Sequence, residues 1–214
     1  AEVISTAFSR DGRTILTSSY DGTARLWDVE TGEEIIRLIH PGWVFMAAFS
    51  PDEEYILTAC QDAVVRLWNT ETGELVRQYV GHTREVYSVA FSPDGAMIAT
   101  GGWDGSVRVW DFATGRELHR FSEEPEGFYI VSFSPDGERL LAGGNENNAW
   151  MWNINTWQVI HRFVGHTAPV WSSAFSPDGT QVLTGGMDGT VRLWDTTTGD
   201  ELRRYRGHSA GVAG

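Results

Sequence analysis

The side chains with the clearest chemical potential come in three matched sets: His40, Thr58, Asp62 and Trp68; His82, Thr100, Asp104 and Trp110; His166, Thr184, Asp188 and Trp194. A hydroxyl, an imidazole and a carboxylate are the parts of a hydrolytic triad. Catalysis, however, needs one such set beside a substrate pocket, with a free nucleophile and an oxyanion site. A set that recurs three times at one spacing, each time with a Trp, argues for a structural unit, so no catalytic residue is expected. Metal binding is no better served. His40, His82, His166 and His208 fall in separate repeats, and no Cys-x-x-Cys pair exists. No metal and no other cofactor is expected.

The elements that carry these sets repeat along the whole chain. Trp27, Trp68, Trp110, Trp152 and Trp194 are separated by 41, 42, 42 and 42 residues, and Phe8, Phe49, Phe91, Phe133 and Phe175 keep the same steps. A period of that length marks supersecondary units that stack to share a core. In the stretch Gly81 to Asp111 and just beyond it, Val86–Phe91, Met97–Gly101, Val107–Trp110 and Glu117–Phe121 alternate as strands. They are separated by turn signals at Asp94-Gly95, Asp104-Gly105 and Thr114-Gly115. No window shows a sustained helical period, which makes the chain all-β. A lone four-stranded sheet cannot bury both of its faces, whereas sheets stacked radially as the blades of a β-propeller can.

Composition narrows the functional classes. A net charge of −13 argues against nucleic acid, whose phosphates require clustered cations, and an acidic surface repels anionic membrane. The single Cys60 excludes an internal disulfide framework and suits a reducing compartment. All sixteen basic residues are Arg. A cytoplasmic, bacterial protein is the expectation, with no apolar run of membrane-spanning length.

The units resemble those of the WD-repeat β-propeller family. Gly-His stands at 81–82, 165–166 and 207–208, His40 follows Ile39, and the closing pair is Trp-Asp at 27–28, 110–111 and 194–195 or Trp-Asn at 68–69 and 152–153. The expected architecture is an all-β propeller of five four-stranded antiparallel blades of about 42 residues. The blades span approximately 1–40, 41–81, 82–123, 124–165 and 166–209, with 210–214 starting a sixth unit or fraying. The resemblance implies that each His-Thr-Asp-Trp set forms a buried relay tying its blade together. The chemistry fits, because indole only donates, hydroxyl and imidazole do both, and carboxylate only accepts. In the fourth repeat the three polar positions hold Glu124, Ala142 and Glu146 while Trp152 remains. Groups that work only as a relay are lost together, and blade four is expected to be the softest.

The resemblance also places partner contacts around the mouth of the central channel. One column there holds Phe45, Tyr87, Tyr129 and Trp171, after Ile4; a second, before each turn Asp, holds Tyr20, Gln61, Trp103, Asn145 and Met187; Trp43 and Glu85 stand in a third. Aromatics on a polar rim make interface hot spots, but the same rings also serve as filling for a narrow channel. Trp103 is expected in an exposed turn. Trp150 replaces a repeated Arg, Trp157 replaces a repeated turn Gly, and His119 and His161 are expected on the exposed outer strands. The opposite face carries Asp52, Glu53, Glu54, Glu71, Glu74, Glu117, Asp136 and Glu138. The resulting expectation is a non-catalytic scaffold binding a protein or peptide, with a structural or self-assembling segment as the alternative. Open blade edges would offer a second copy of the chain a place to bind. Val3, Val44, Val86, Val170 and Val212 share a column. Two topologies remain: a closed five-bladed ring, with His208 capping Thr17, Asp21 and Trp27, or part of a longer array.

Overall fold

The computed structural model describes residues 1–122 and 126–212, and Glu124 lies outside them. The described residues form twenty strands and no helix. The first sheet contains β1 (Val3–Phe8), β2 (Thr14–Ser19), β3 (Thr23–Asp28) and β4 (Glu34–Ile39). The second contains β5 (Val44–Phe49), β6 (Tyr55–Cys60), β7 (Val64–Asn69) and β8 (Leu75–Val80). The third contains β9 (Val86–Phe91), β10 (Met97–Gly102), β11 (Val107–Asp111) and β12 (Glu117–Phe121). The fourth contains β13 (Phe128–Phe133), β14 (Arg139–Gly144), β15 (Asn148–Asn153) and β16 (Val159–Val164). The fifth contains β17 (Val170–Phe175), β18 (Gln181–Gly186), β19 (Thr190–Asp195) and β20 (Glu201–Arg206). Every sheet is an antiparallel meander in chain order.

The turns follow from side chains that hydrogen-bond their own backbone. Between β9 and β10, Ser92 donates to Asp94 at 2.6 Å and accepts from the Met97 N–H at 2.8 Å, while Gly95 takes a φ of 72°. Blade two has Glu53 at that position with a φ of 62°, a conformation that costs a non-Gly residue roughly 1–2 kcal/mol. At the last turn, Asp28, Asp111 and Asp195 accept the N–H groups of Thr31, Thr114 and Thr198, and Asn69 and Asn153 do the same for Thr72 and Thr156. Only one side-chain oxygen is used. That explains why the residue after the repeated Trp is Asp or Asn.

Sheets pack in sequence through the first two strands: β5 against β1 and β2, β9 against β5 and β6, β13 against β9 and β10, β17 against β13 and β14. Four apolar clusters fill the four junctions; one joins Leu57, Val65 and Tyr79 of blade two to Val86 and Trp110 of blade three. The row ends there. The far sides of blades one and five stand open, with Val3, Phe8 and Leu183 exposed, so the propeller is open and not a closed ring. His208 is exposed, and Thr17 instead accepts the Trp27 N–H at 2.9 Å and donates to the Arg25 carbonyl at 3.4 Å.

Candidate binding face and the blade relays

Blades three and five form the complete relay. In blade three, Trp110 donates to Thr100 at 3.0 Å, Thr100 Oγ1 lies 2.8 Å from His82 Nε2, and His82 Nδ1 lies 3.0 Å from Asp104. In blade five the corresponding distances are 2.9, 2.8 and 3.0 Å, from Trp194 through Thr184 and His166 to Asp188. One neutral tautomer satisfies every group, with Nδ1–H donating to the carboxylate and Nε2 accepting from the Thr. Burial alone would raise Asp104, but bonds from His82, Ser106 and the Thr83 N–H outweigh it and hold the carboxyl well below its ordinary value. Asp188 is likewise raised by burial and held down further by Thr190, the Thr167 N–H and His166.

Blade two corrects the expectation. Trp68 and Thr58 bond at 2.9 Å and His40 Nε2 lies 2.8 Å from Thr58, but His40 Nδ1 donates to the Leu38 carbonyl at 3.2 Å. Asp62 turns instead to Arg66, at 2.5 and 3.0 Å. The cause is local. In the complete relays the residue after the His donates its N–H to the Asp, but here that residue is Pro41, which has none. The hydroxyl of Ser106 or Thr190 that also holds the Asp is replaced by Val64. Burial and the nearby Arg66 push His40 down to about 4.

Blade four keeps Trp152 without the relay. With Ala142 in the hydroxyl position, the indole N–H is buried with no partner among the described residues. Aromatics fill the space: Phe121 stacks on Trp152 at 4.5 Å, Trp150 stacks on Trp152 at 6.2 Å, and Arg162 lies over Trp150. Trp157, with a φ of 60°, lies flat on His119 at 4.7 Å. His119 and His161 are therefore not free surface residues but inter-blade contacts, since His161 Nε2 lies 3.1 Å from the Thr197 carbonyl.

One role escaped sequence reasoning. Arg25, Arg108 and Arg192 bridge their turn Asp to a Glu on the outer strand, with Arg108 2.6 Å from Glu117 and Arg192 2.5 Å from Glu201. A regular Arg in a repeated position beside an acidic turn was the available signal. The acidic face is correspondingly less free than expected. Glu117 is paired, Asp52 accepts from Ser50 and the Glu54 N–H, and Asp136 accepts from Ser134 and Arg139.

At the other end of the sheets the aromatic columns merge into one ladder. Trp43 meets Tyr20 at 4.7 Å, Tyr20 meets Phe45 at 5.9 Å, Phe45 stacks on Tyr87 at 4.3 Å, Tyr87 meets Tyr129 at 5.4 Å, and Tyr129 stacks on Trp171 at 4.9 Å. The second and third columns are tied by backbone bonds from Gln61 to Trp43, Trp103 to Glu85 and Met187 to Pro169. Phe45 is buried, Tyr20, Tyr87 and Tyr129 are half-buried, and Trp43 and Trp171 are exposed at 46% and 40%. Trp103 is half-buried, wedged between Tyr87 and Tyr129 beneath the Arg84 guanidinium, 5.5 Å from its ring. Glu85 sits beside Arg84 at 3.7 Å, outside the ladder, and the exposed Met187 lies over Gly211. Burial pushes the Tyr129 hydroxyl up to about 12, and it donates to Asn145 at 3.0 Å. This end is a rigid aromatic platform with two exposed indoles.

Five radially packed four-stranded meanders, each carrying the repeated Trp, define an all-β WD-type propeller array. The family described as "WD domain, G-beta repeat" matches the chain five times, over residues 1–28, 32–69, 73–111, 115–153 and 157–195, and the chain belongs to that family. Its members generally serve as protein-interaction scaffolds. No curated protein matches the chain.

Proposed function

We propose that this chain is a non-catalytic scaffold whose aromatic end binds a peptide or an extended segment of a protein. The observation that carries this is the ladder from Trp43 to Trp171, half sunk in the sheets and exposed at both ends. Each ring is already fixed by its neighbours, so a ligand that stacks on it orders little. Indole and phenol surfaces with polar tips are the side chains that dominate binding energy at such interfaces. Against catalysis stand the hydroxyls of Thr58, Thr100 and Thr184, which are buried and already hold an indole N–H. The net charge of −13 supports a protein or peptide partner over nucleic acid or anionic membrane.

A random-peptide display library panned on the immobilised chain tests this reading. Peptides enriched on the wild type should lose about 2 kcal/mol or more of binding on Trp43→Ala combined with Trp171→Ala. Absence of enrichment, or peptides that bind the double variant equally well, would overturn it.

A further inference from the structure

The four internal junctions all use the same two faces. In the second strands, Leu16, Leu57 and Leu141 of the trailing face are at most 1% exposed, but Leu183 of blade five is 41% exposed. On the leading face, Val44, Val86 and Val170 are fully buried, but Val3 of blade one is 60% exposed. The described blades thus leave open two unmatched halves of an interface that they make four times among themselves.

The polar features match as well. Ser5 accepts the Ala47 N–H of the next blade at 3.2 Å, and Ser88 accepts the Val131 N–H at 3.0 Å. Ser172 occupies the same column on blade five, at an open groove of about 270 Å³ that it shares with Leu183 and Val191. In blade two, Arg77 reaches across to the carbonyls of Phe112 and Ala113. The repeat places Arg203 in the Arg77 position and Val29-Glu30 of blade one in the position of those carbonyls. Strand β20 turns Arg203 to this face, with Leu193, while Arg204, bonded to Glu201, and Arg206 lie on its other side; the blade-one turn carries Glu30. Arg203 and Glu30 supply one pair of opposite charges across the contact.

We propose that the trailing face of blade five binds the leading face of blade one of a second copy of this chain. The contact is heterologous, so each added copy leaves both kinds of face free at the ends and association propagates. The chain also carries a competitor for the site. The Val212 N–H donates to the Gly186 carbonyl at 3.0 Å, and its side chain covers Gly185 as Val170 covers Gly143. Val212 and Val3 share one column, so residues 207–212 hold the seat that the incoming Val3 takes.

Sedimentation of the full chain over a wide concentration range tests the proposal. The expected result is reversible growth that weakens with salt, weakens about a hundredfold in Leu183→Glu or Phe8→Glu, and strengthens on truncation after Arg206. Both substituted side chains are exposed within one chain, so each variant should fold. Mixing the two should restore 1:1 pairs that grow no further, because one partner retains only a leading face and the other only a trailing face. A monomer at every concentration, assembly that survives both substitutions, or a mixture that fails to pair would each overturn the proposal.

Discussion

His40 and Asp62 stand in the columns that pair as His82–Asp104 and His166–Asp188, yet they are not bonded; His40 donates to Leu38 and Asp62 pairs with Arg66. The difference traces to Pro41, which has no N–H to give the carboxylate, and to Val64, which has no side-chain hydroxyl to hold it. Replacing Pro41 with Thr and Val64 with Ser should return Asp62 to the ring. A carboxylate beside an imidazole favours its charged form, so the His40 titration followed by NMR should move upward from about 4. An unchanged titration would show that Arg66 holds Asp62 by itself.

Acid should destabilise the protein in two windows. His40 is pushed from 6.5 to about 4, so the unfolded chain takes up a proton that the folded chain refuses. Stability is then lost as the pH falls from about 6.5 toward 4, on the order of 3 kcal/mol in full. His166, lowered chiefly by burial, adds to the same window. Asp104 and Asp188 are held below 3.8, and their contribution is present above that value and lost as the pH falls further. Urea unfolding at a series of pH values should show both slopes, and His40→Gln should flatten the first.

In blade three, Thr100 links the Trp110 indole to the His82 imidazole. Thr100→Val keeps the shape but leaves the Trp110 N–H without its acceptor and His82 Nε2 without its donor. An orphaned buried group costs about 1–3 kcal/mol, and a loss of that size is expected in equilibrium unfolding. A variant as stable as the wild type would show that the relay contributes nothing net.

The converse applies to blade four. Ala142→Thr offers an acceptor to the buried Trp152 N–H, with the Trp150 carbonyl in the position that accepts from Thr17 in blade one. A gain of about 1 kcal/mol is expected; a loss would mean that the aromatics around Trp152 leave no room for the branched side chain.

Trp157→Gly separates backbone strain from stacking. Glycine relieves the φ of 60°, a gain of about 1 kcal/mol. It also removes a half-buried indole from His119 and the Phe121 cluster, a loss of about 3–5 kcal/mol. The net expectation is destabilisation in thermal or urea unfolding.

The blades were legible because period, turn residues and alternation all repeat, and each is a local signal. The relays of blades three and five were legible for the same reason. Blade two was not, because its outcome depends on a missing N–H at Pro41, one residue outside the four-residue pattern. The stacking of Trp157 on His119 depends on how one blade sits over the next, and no period within a blade encodes that offset. Trp103 reads as an exposed turn residue from its neighbours in sequence, but Tyr129 from the adjacent blade covers it. Whether the row closes was equally out of reach, since that depends on the angle between sheets and not on any one sheet.

The open row also sets how the molecule comes apart. Blades two, three and four each have two neighbours, whereas blades one and five have one. In such a linear array, stability is the sum of unit terms and nearest-neighbour terms. The end units therefore fray first, and hydrogen exchange should slow from both termini toward the middle. Blade three, with a complete relay and two neighbours, is the expected slowest-exchanging kernel, and the chain should unfold as a zipper opening from its two ends.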